Sequence, residues 1–149
     1  MTTSLPQTIA DDLLRVRKRR GDTNTYAYPS LGGRLNVPLE SEDGRDEFFL
    51  DITRNRIDLK KTKHQNRSRS VIILARLDTG HQPHENPDGQ VITGPHIHLY
   101  REGFGSKWAF PVPAESFTDL DDPWKTYNEF LTFINVIEPP DIQKGLWPC

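Results

Sequence analysis

The sequence predicts an α+β domain, in which one antiparallel β-sheet of about six strands forms a meander and packs with an N-terminal and a C-terminal α-helix. Apolar residues recur at helical spacing near both ends, over residues 4–19 and 122–135. Between them, residues 33–112 hold short segments of alternating apolar and polar residues, separated by turn-forming clusters. The chain has 149 residues, so we expect one domain over 1–149, ending in an irregular tail at 138–149.

Each predicted helix has its own start signal. In the first, Ser4 can cap the N-terminus, Pro6 falls in the first turn, and the basic residues at 16–20 suit a C-terminus. In the second, Asp122 is a good N-cap and Pro123 takes the first helical position. The apolar stripe of this second helix consists of Trp124, Tyr127, Phe130, Leu131 and Ile134. We expect that stripe to pack on the sheet.

The strands are predicted from alternation and from their flanking turns. "RLNVPL" at residues 34–39 and "EFFLD" at 47–51 come first, and residues 56–59 continue the meander. "SVIILARLD" at 70–78 is the most apolar segment and is expected at the centre of the sheet. A hairpin over residues 96–112 completes the series.

Composition excludes several protein classes. The longest apolar run, residues 71–75, is far too short to span a membrane, so we expect no membrane partner. The N-terminus lacks the apolar segment of a signal peptide, and the lone Cys149 allows no internal disulfide, so we expect a cytoplasmic protein. The net charge of -2 indicates no partner by itself. Phosphate-binding loops and nucleophile elbows are absent from the sequence.

The hairpin places histidines on one face. With Gly103 and Phe104 as the central residues of a two-residue turn, His98 faces Ala109 and the two faces segregate. One face is then apolar, and the other, which we expect to face solvent, is polar. The apolar face carries Ile97, Leu99, Trp108 and Phe110, and the polar face carries His96, His98, Tyr100 and Lys107. A three-residue turn ending at Gly105 would shift the register by one and separate the faces less well.

The polar face is a candidate site, although outward polar residues are the rule on half-buried sheets. Four of the five histidines fall within residues 81–98, and clustered titratable groups suit acid–base chemistry. For metal-independent cleavage of RNA, His96 and His98 would act as the acid–base pair, assisted by Tyr100 and Lys107. This reading needs no cofactor. The alternative is a metal site, and its ligands would be His81, His84, His96 and His98.

Residues 60–69 read "KKTKHQNRSR", with five cations and no acid. Such a run at a hairpin tip suits a phosphate backbone, although many exposed loops are equally basic. The predicted nucleic-acid contacts are Lys60, Lys61, Lys63, Arg67 and Arg69. The long loop over residues 79–95 follows the next strand, and its length is typical of a lid or a binding loop.

Four segments resemble a family of small uncharacterised bacterial and phage-associated proteins, known only as a domain of unknown function. They are "GRLNVPLESEDGRDEFFLDITRNRIDL", "RSVIILARLDTGHQPHENPDG", "GPHIHLYREGFGSKWAFPVP" and "PPDIQKGL", within residues 32–146. Ser106 departs from the pattern, where the resemblance leads us to expect Asp. The resemblance implies a prokaryotic, intracellular protein, often near mobile elements, and it supplies no catalytic residues.

The order of elements also resembles, more distantly, that of barnase- and RelE-like ribonucleases, although the extra strands and the second helix depart from that plan. Our first hypothesis is therefore a small RNA-directed protein of toxin–antitoxin or defence type, acting as a metal-independent endoribonuclease. RNA and a protein partner such as a cognate antitoxin are the expected partners. The alternatives are a non-catalytic binding or interaction module of a mobile element and a histidine-ligated metal-dependent hydrolase.

Overall fold

A computed structural model describes residues 4–58 and 61–145. Within them the chain forms two helices and twelve strands, several of them very short. The elements are α1 (Gln7–Arg15), β1 (Lys18–Arg20), β2 (Thr25–Ala27), β3 (Arg34–Ser41), β4 (Glu47–Arg54), β5 (Thr62–Ser68), β6 (Ile72–Asp78), β7 (His84–Glu85), β8 (Val91–Ile92), β9 (His96–Leu99), β10 (Ala109–Pro111), α2 (Pro123–Phe133), β11 (Val136–Glu138) and β12 (Asp141–Gln143).

The main sheet has eight strands in the order β10-β9-β6-β5-β4-β3-β1-β11. Its neighbours are antiparallel except β1 and β11, which are parallel, so the sheet is mixed. Two further pairs, β12-β2 and β7-β8, form small sheets of their own. The predicted α+β class is confirmed, but the prediction of about six antiparallel strands is wrong. Three-residue strands such as β1 and β11 are too short to show alternation in a sequence.

The first helix is shorter than the predicted 4–19, because it begins at Gln7, with Pro6 rather than Ser4 at the N-cap, and ends at Arg15. Residues 18–20 form β1 instead, and the buried Lys18 explains why. Its Nζ donates hydrogen bonds to the carbonyl oxygens of Leu14, Val16 and Ile134, at 2.8, 3.2 and 2.7 Å. These carbonyls end both helices, so one ammonium group satisfies both C-termini. Burial lowers the pKa of Lys18 to about 7.

The second helix forms as predicted. Its N-cap is Asp122, whose Oδ1 accepts a hydrogen bond from the backbone N–H of Lys125 at 3.1 Å. Within the predicted stripe, Tyr127, Phe130, Leu131 and Ile134 are buried and Trp124 is half-buried. The predicted irregular tail is partly wrong, because residues 141–143 pair in parallel with β2 as strand β12. Residues 146–149 lie outside the described residues.

The apolar core lies on one face of the main sheet. Leu50, Ile52, Leu77 and Ile97 are among its fully buried side chains, together with residues of both helices. The other face of the sheet, here called the outer face, is polar. Residues at successive register positions across β3, β4, β5, β6 and β9 form one row along it, made of Asn36, Asp51, Gln65, Arg76 and His98.

The basic segment is not an exposed loop, which corrects the prediction for residues 60–69. Most of it is β5, an inner strand between β4 and β6. The strand buries small polar residues and His64 on the core face, while Lys63 and Arg67 lie on the outer face. Over the described part of the predicted strand at 56–59 the prediction is also wrong, since residues 56 and 57 form a bend and the next strand begins at Thr62. A sequence this polar does not show the alternation that marks a strand.

Candidate anion-binding cavity and histidine cluster

The hairpin that carries the predicted site has the predicted register. His98 pairs with Ala109 and Ile97 with Phe110. Its turn differs from the predicted two-residue turn, because Arg101 pairs with Gly105 through two hydrogen bonds of 2.9 Å. The turn therefore holds three residues, and a one-residue irregularity before Ala109 restores the register.

His96 and His98 lie on the outer face as predicted, but they are not solvated. Only 4% of His96 and 2% of His98 is exposed, because His84, from the loop over residues 79–95, packs against them. The ring centroid of His84 lies 5.6 Å from that of His96 and 4.6 Å from that of His98. The ring centroids of His96 and His98 are 4.9 Å apart. We call these three residues the histidine cluster.

Backbone carbonyls define which ring nitrogens of the histidine cluster carry protons. His84 Nε2 lies 2.8 Å from the carbonyl oxygen of Lys107, His96 Nδ1 lies 2.9 Å from that of Gly94, and His98 Nδ1 lies 2.8 Å from that of Ser106. A carbonyl oxygen only accepts, so each of these nitrogens donates. In neutral His98 the other nitrogen, Nε2, then accepts from Arg76 Nη2 at 3.3 Å.

This environment keeps His98 neutral. Burial is the main cause that lowers its pKa, to about 4, and the nearby Arg76 guanidinium lowers it further. The Ser106 carbonyl acts in the opposite direction, and the other two histidines add small lowering effects. A neutral imidazole with both nitrogens engaged is a poor proton donor or acceptor at pH 7. The hydrogen bonds of His98 hold the hairpin together, and its catalytic role stays a prediction.

Of the other two predicted catalytic residues, Tyr100 is bound at the start of α1, and Lys107 meets the histidine cluster through its backbone. The Tyr100 hydroxyl donates to the carbonyl oxygen of Leu5 at 2.8 Å and accepts from its backbone N–H, which fixes the start of α1. Tyr100 directly follows the last residue of β9, and its side chain belongs to the buried core rather than to the predicted polar face. Lys107 is exposed, and its contact with His84 is through its backbone carbonyl.

The predicted metal ligands are split between two places. His84, His96 and His98 come together, whereas the exposed His81 lines a separate cavity. Within residues 4–58 and 61–145, no group of three or more His, Cys, Asp or Glu side chains has an arrangement that could hold a metal ion. The Arg76 guanidinium beside His98 also places a positive charge where a cation would have to bind.

The cavity that His81 lines lies at one end of β4, β5 and β6 and has a volume of about 310 Å³. It joins the basic segment, through Lys61 and Lys63, to the start of the long loop, through His81 and Gln82. The single carboxylate in its wall, that of Asp78, lies 3.9 Å from Lys63 Nζ and accepts a hydrogen bond from the Gly80 N–H. We call this space the basic cavity.

The remaining predicted nucleic-acid contacts lie elsewhere. Arg67 Nε and Nη2 bind both carboxylate oxygens of Asp51, at 2.5 and 2.9 Å. Although burial opposes ionisation of Asp51, hydrogen bonds from Arg67, Asn36 and Gln65 hold its pKa below the usual value. Arg69 follows the far end of β5, about 20 Å from the basic cavity at the usual rise of a strand. Lys60 lies outside the described residues.

Two residues that the sequence analysis missed hold the site together. The buried Asn86 donates from Nδ2 to the Ala109 carbonyl at 2.9 Å and accepts the Ala109 N–H at 2.8 Å, so it fixes the long loop to the edge strand β10. Arg76 is the register neighbour of His98. In the sequence, Arg76 stands two residues before Asp78 in "ARLD", so strand alternation places both side chains on the same face. This spacing is the signal that could have identified Arg76.

The family model of DUF6978, a family of unknown function, matches residues 5–136. The chain belongs to this family. The match confirms the resemblance to an uncharacterised domain. Neither a curated protein nor a solved structure matches the chain. In the part of the chain that the structure describes, neither helix has the length and apolar character needed to cross a membrane.

Proposed function

We propose that the protein is a non-catalytic RNA-binding module that holds RNA phosphates at the basic cavity. The observation that carries this proposal is the charge of the cavity wall, where the ammonium groups of Lys61 and Lys63 meet a single carboxylate, that of Asp78. Asp78 is within ion-pair distance of Lys63 only, and no described carboxylate lies within 4 Å of the Lys61 ammonium. A half-buried lysine without a carboxylate partner, as Lys61 is, and an exposed lysine in a long ion pair, as Lys63 is, can both bind phosphate with little sequence preference.

Binding is favoured over catalysis by the state of the histidines. An acid–base pair has to reach the substrate and change its protonation near neutral pH. His96 and His98 are both buried, and the pKa of His98 is lowered to about 4. The outer-face cation Arg67 is bound by Asp51 and adds little to an RNA surface.

A metal-independent endoribonuclease is the second candidate, and the closeness of three imidazole rings favours it. His84 Nδ1 and His96 Nε2 are the cluster nitrogens opposite those that face carbonyls, and their rings stack at 5.6 Å. For RNA to reach them, the loop over residues 79–95 would have to open. The toxin–antitoxin or defence setting, near mobile elements or phage, rests on the resemblance alone. It is tested by measuring the growth of a bacterial host after induction of the protein, and by identifying the proteins that co-purify with it.

The binding proposal is tested with the purified protein and a fluorescent 12-nucleotide RNA, by anisotropy over a range of salt concentrations. We expect the double variant Lys61→Gln/Lys63→Gln to bind more weakly and to lower the slope of log K against log salt by about 1.4, at roughly 0.7 for each of two lost phosphate contacts. The matched control, Arg17→Gln/Arg45→Gln, removes two exposed charges near the β3–β4 turn and should bind like the wild type. Equal binding by all three proteins would overturn the proposal.

The same RNA, incubated with protein in a chelator and run on a denaturing gel, tests the second candidate. Cleavage by the wild type that His96→Gln abolishes, with an unchanged circular dichroism spectrum, would replace the binding module by an endoribonuclease. Intact RNA in both reactions, with normal binding, supports the binding module.

A further inference from the structure

A second concave surface lies beside the basic cavity. It is a groove of about 510 Å³ between the long loop and the tip of the β9–β10 hairpin. Its walls are formed by His84, Glu85, Asn86, Pro87, Gly89, Phe104 and Lys107. The loop segment that separates the two spaces is short, because His81 and Gln82 line the cavity and His84 lines the groove. Three residues span at most about 10 Å, so one strand of RNA could contact both spaces with neighbouring nucleotides.

Phe104 gives the groove an aromatic wall at the surface. Its side chain is 41% exposed, and its ring centroid lies 5.8 Å from that of Trp108, at an interplanar angle of 83°. The Arg101 guanidinium lies 4.6 Å from the centroid of the Trp108 ring on which Phe104 packs. An exposed ring supported from behind is the feature on which unpaired bases stack.

The tip that carries Phe104 is fixed in place. Glycines with φ angles of +84° and +62°, Gly103 and Gly105, flank Phe104, whose N–H donates to the Arg101 carbonyl at 2.9 Å. The turn is also bound to the start of α1. The Gln7 N–H donates to the Glu102 carboxylate and the Glu102 N–H donates to the Gln7 side-chain oxygen, both at 2.8 Å. A ring that is already ordered loses little entropy when a base stacks on it.

The polar groups of the groove suit a nucleotide. The Lys107 side chain is exposed, and no carboxylate of the described residues lies within 4 Å of its ammonium group. Lys107 can therefore bind a phosphate, while the exposed Glu85 carboxylate can accept from the N–H groups of a base. The Asn86 amide bonds the Ala109 backbone through both its nitrogen and its oxygen and keeps the floor of the groove in place.

We propose that this groove binds one unpaired base of RNA, stacked on Phe104, so that single-stranded RNA is the ligand class of the protein. The inference rests on the proposed RNA binding and deepens it. A base inside a duplex is stacked on both sides and cannot reach the Phe104 ring, whereas a phosphate of either form can reach the basic cavity.

The test uses a single-stranded 12-nucleotide RNA containing 2-aminopurine and a duplex of the same sequence, with binding measured by anisotropy and stacking by 2-aminopurine fluorescence. We expect Phe104→Ala to weaken single-strand binding about tenfold and to abolish quenching, as the loss of one stacked base predicts. Phe110→Ala is the matched control, because Phe110 is 38% exposed on the same hairpin but lies on the opposite side of the sheet, and it should bind like the wild type. Phe104→Tyr keeps an aromatic ring and should restore both signals.

The outcomes separate this inference from the proposed function. If Phe104→Ala binds the single strand as tightly as the wild type, or if the duplex binds as well as the single strand, the inference is overturned. The RNA-binding module would still stand if the Lys61→Gln/Lys63→Gln variant has lost affinity. If the wild type binds neither RNA, both are overturned. Thermal melting of each variant shows whether a loss of RNA affinity comes from the missing ring or from unfolding. Normal binding by Phe104→Tyr together with weaker binding by Phe104→Ala supports the inference.

Discussion

The basic cavity and the histidine cluster lie near each other on the sheet, at the two sides of β6, and they differ in their access to water. Lys61 and Lys63 line an open cavity, where water stabilises their charges. His98 is only 2% exposed and neutral, and its hydrogen bonds hold the hairpin. Lysine and histidine can both carry a positive charge, so the difference between the two places comes from burial rather than from residue type.

Acid should act on the buried histidines and provides the largest test of this comparison. The folded-state pKa values of His64 and His98 are about 3 and about 4, because burial disfavours their charged forms. Below the ordinary value of 6.5 the unfolded chain binds more protons, so stability falls as the pH falls from 6.5 toward 4. We expect each histidine to contribute about 2.5 kcal/mol to this loss, measured by urea unfolding at pH 7 and 4.5.

The variant His81→Gln is the control for acid unfolding, because His81 is exposed in the wall of the basic cavity. Its unfolding free energy should show the same pH dependence as that of the wild type. A stability that stays constant between pH 7 and 4.5 would show that the two histidines are not buried as neutral groups.

Removing the Asn86 amide should separate the loop from the sheet edge. Asn86→Ala leaves both the N–H and the carbonyl of buried Ala109 without partners, and we expect a loss of about 2 kcal/mol of unfolding free energy. Asn24→Ala is the control, since the Asn24 side chain is exposed and donates to the Asp22 carboxylate at 3.2 Å. Limited proteolysis should cut within residues 79–95 in the first variant alone. Equal stability of both variants would contradict the role of Asn86.

Arg76 should tune His98 by its charge. Replacing it with methionine removes a neighbouring cation, so we expect the pKa of His98 to rise by up to about one unit, followed by NMR titration of the ring protons. Arg34→Met removes an exposed charge from the other half of the outer face and should leave that titration unchanged. A His98 titration that is the same in Arg76→Met and in the wild type would show that burial alone sets its charge.

The smallest expected effect on stability comes from Lys63. Its ion pair with Asp78 is long, at 3.9 Å, and solvent-exposed, so Lys63→Gln should change the unfolding free energy by less than about 0.5 kcal/mol. The same change should weaken RNA binding, because it removes a charge from the wall of the basic cavity. A variant that loses stability but keeps its RNA affinity would reverse the roles that we assign to this residue.

The parts of the fold that were predicted correctly have strong local signals. Asp122 and Pro123 start α2 because a side-chain cap and a proline act within one turn of helix. The register of His98 with Ala109 follows from the separation of polar and apolar residues across one hairpin. Where the determining contact is distant in sequence, prediction failed. Lys18 leaves the helix because its ammonium group bonds the Ile134 carbonyl, 116 residues away.

The candidate site was predicted in its residue types and only partly in its arrangement. The sequence alone determined the α+β class, the second helix and the face on which the strand histidines lie, since these depend on periodicity and on neighbouring residues. Only the tertiary structure decided that β5 is an inner strand, that the long loop covers His98, and that Lys61 and His81 share one cavity. Burial and charge state are properties of the whole packed chain, because desolvation depends on residues that are far apart in sequence.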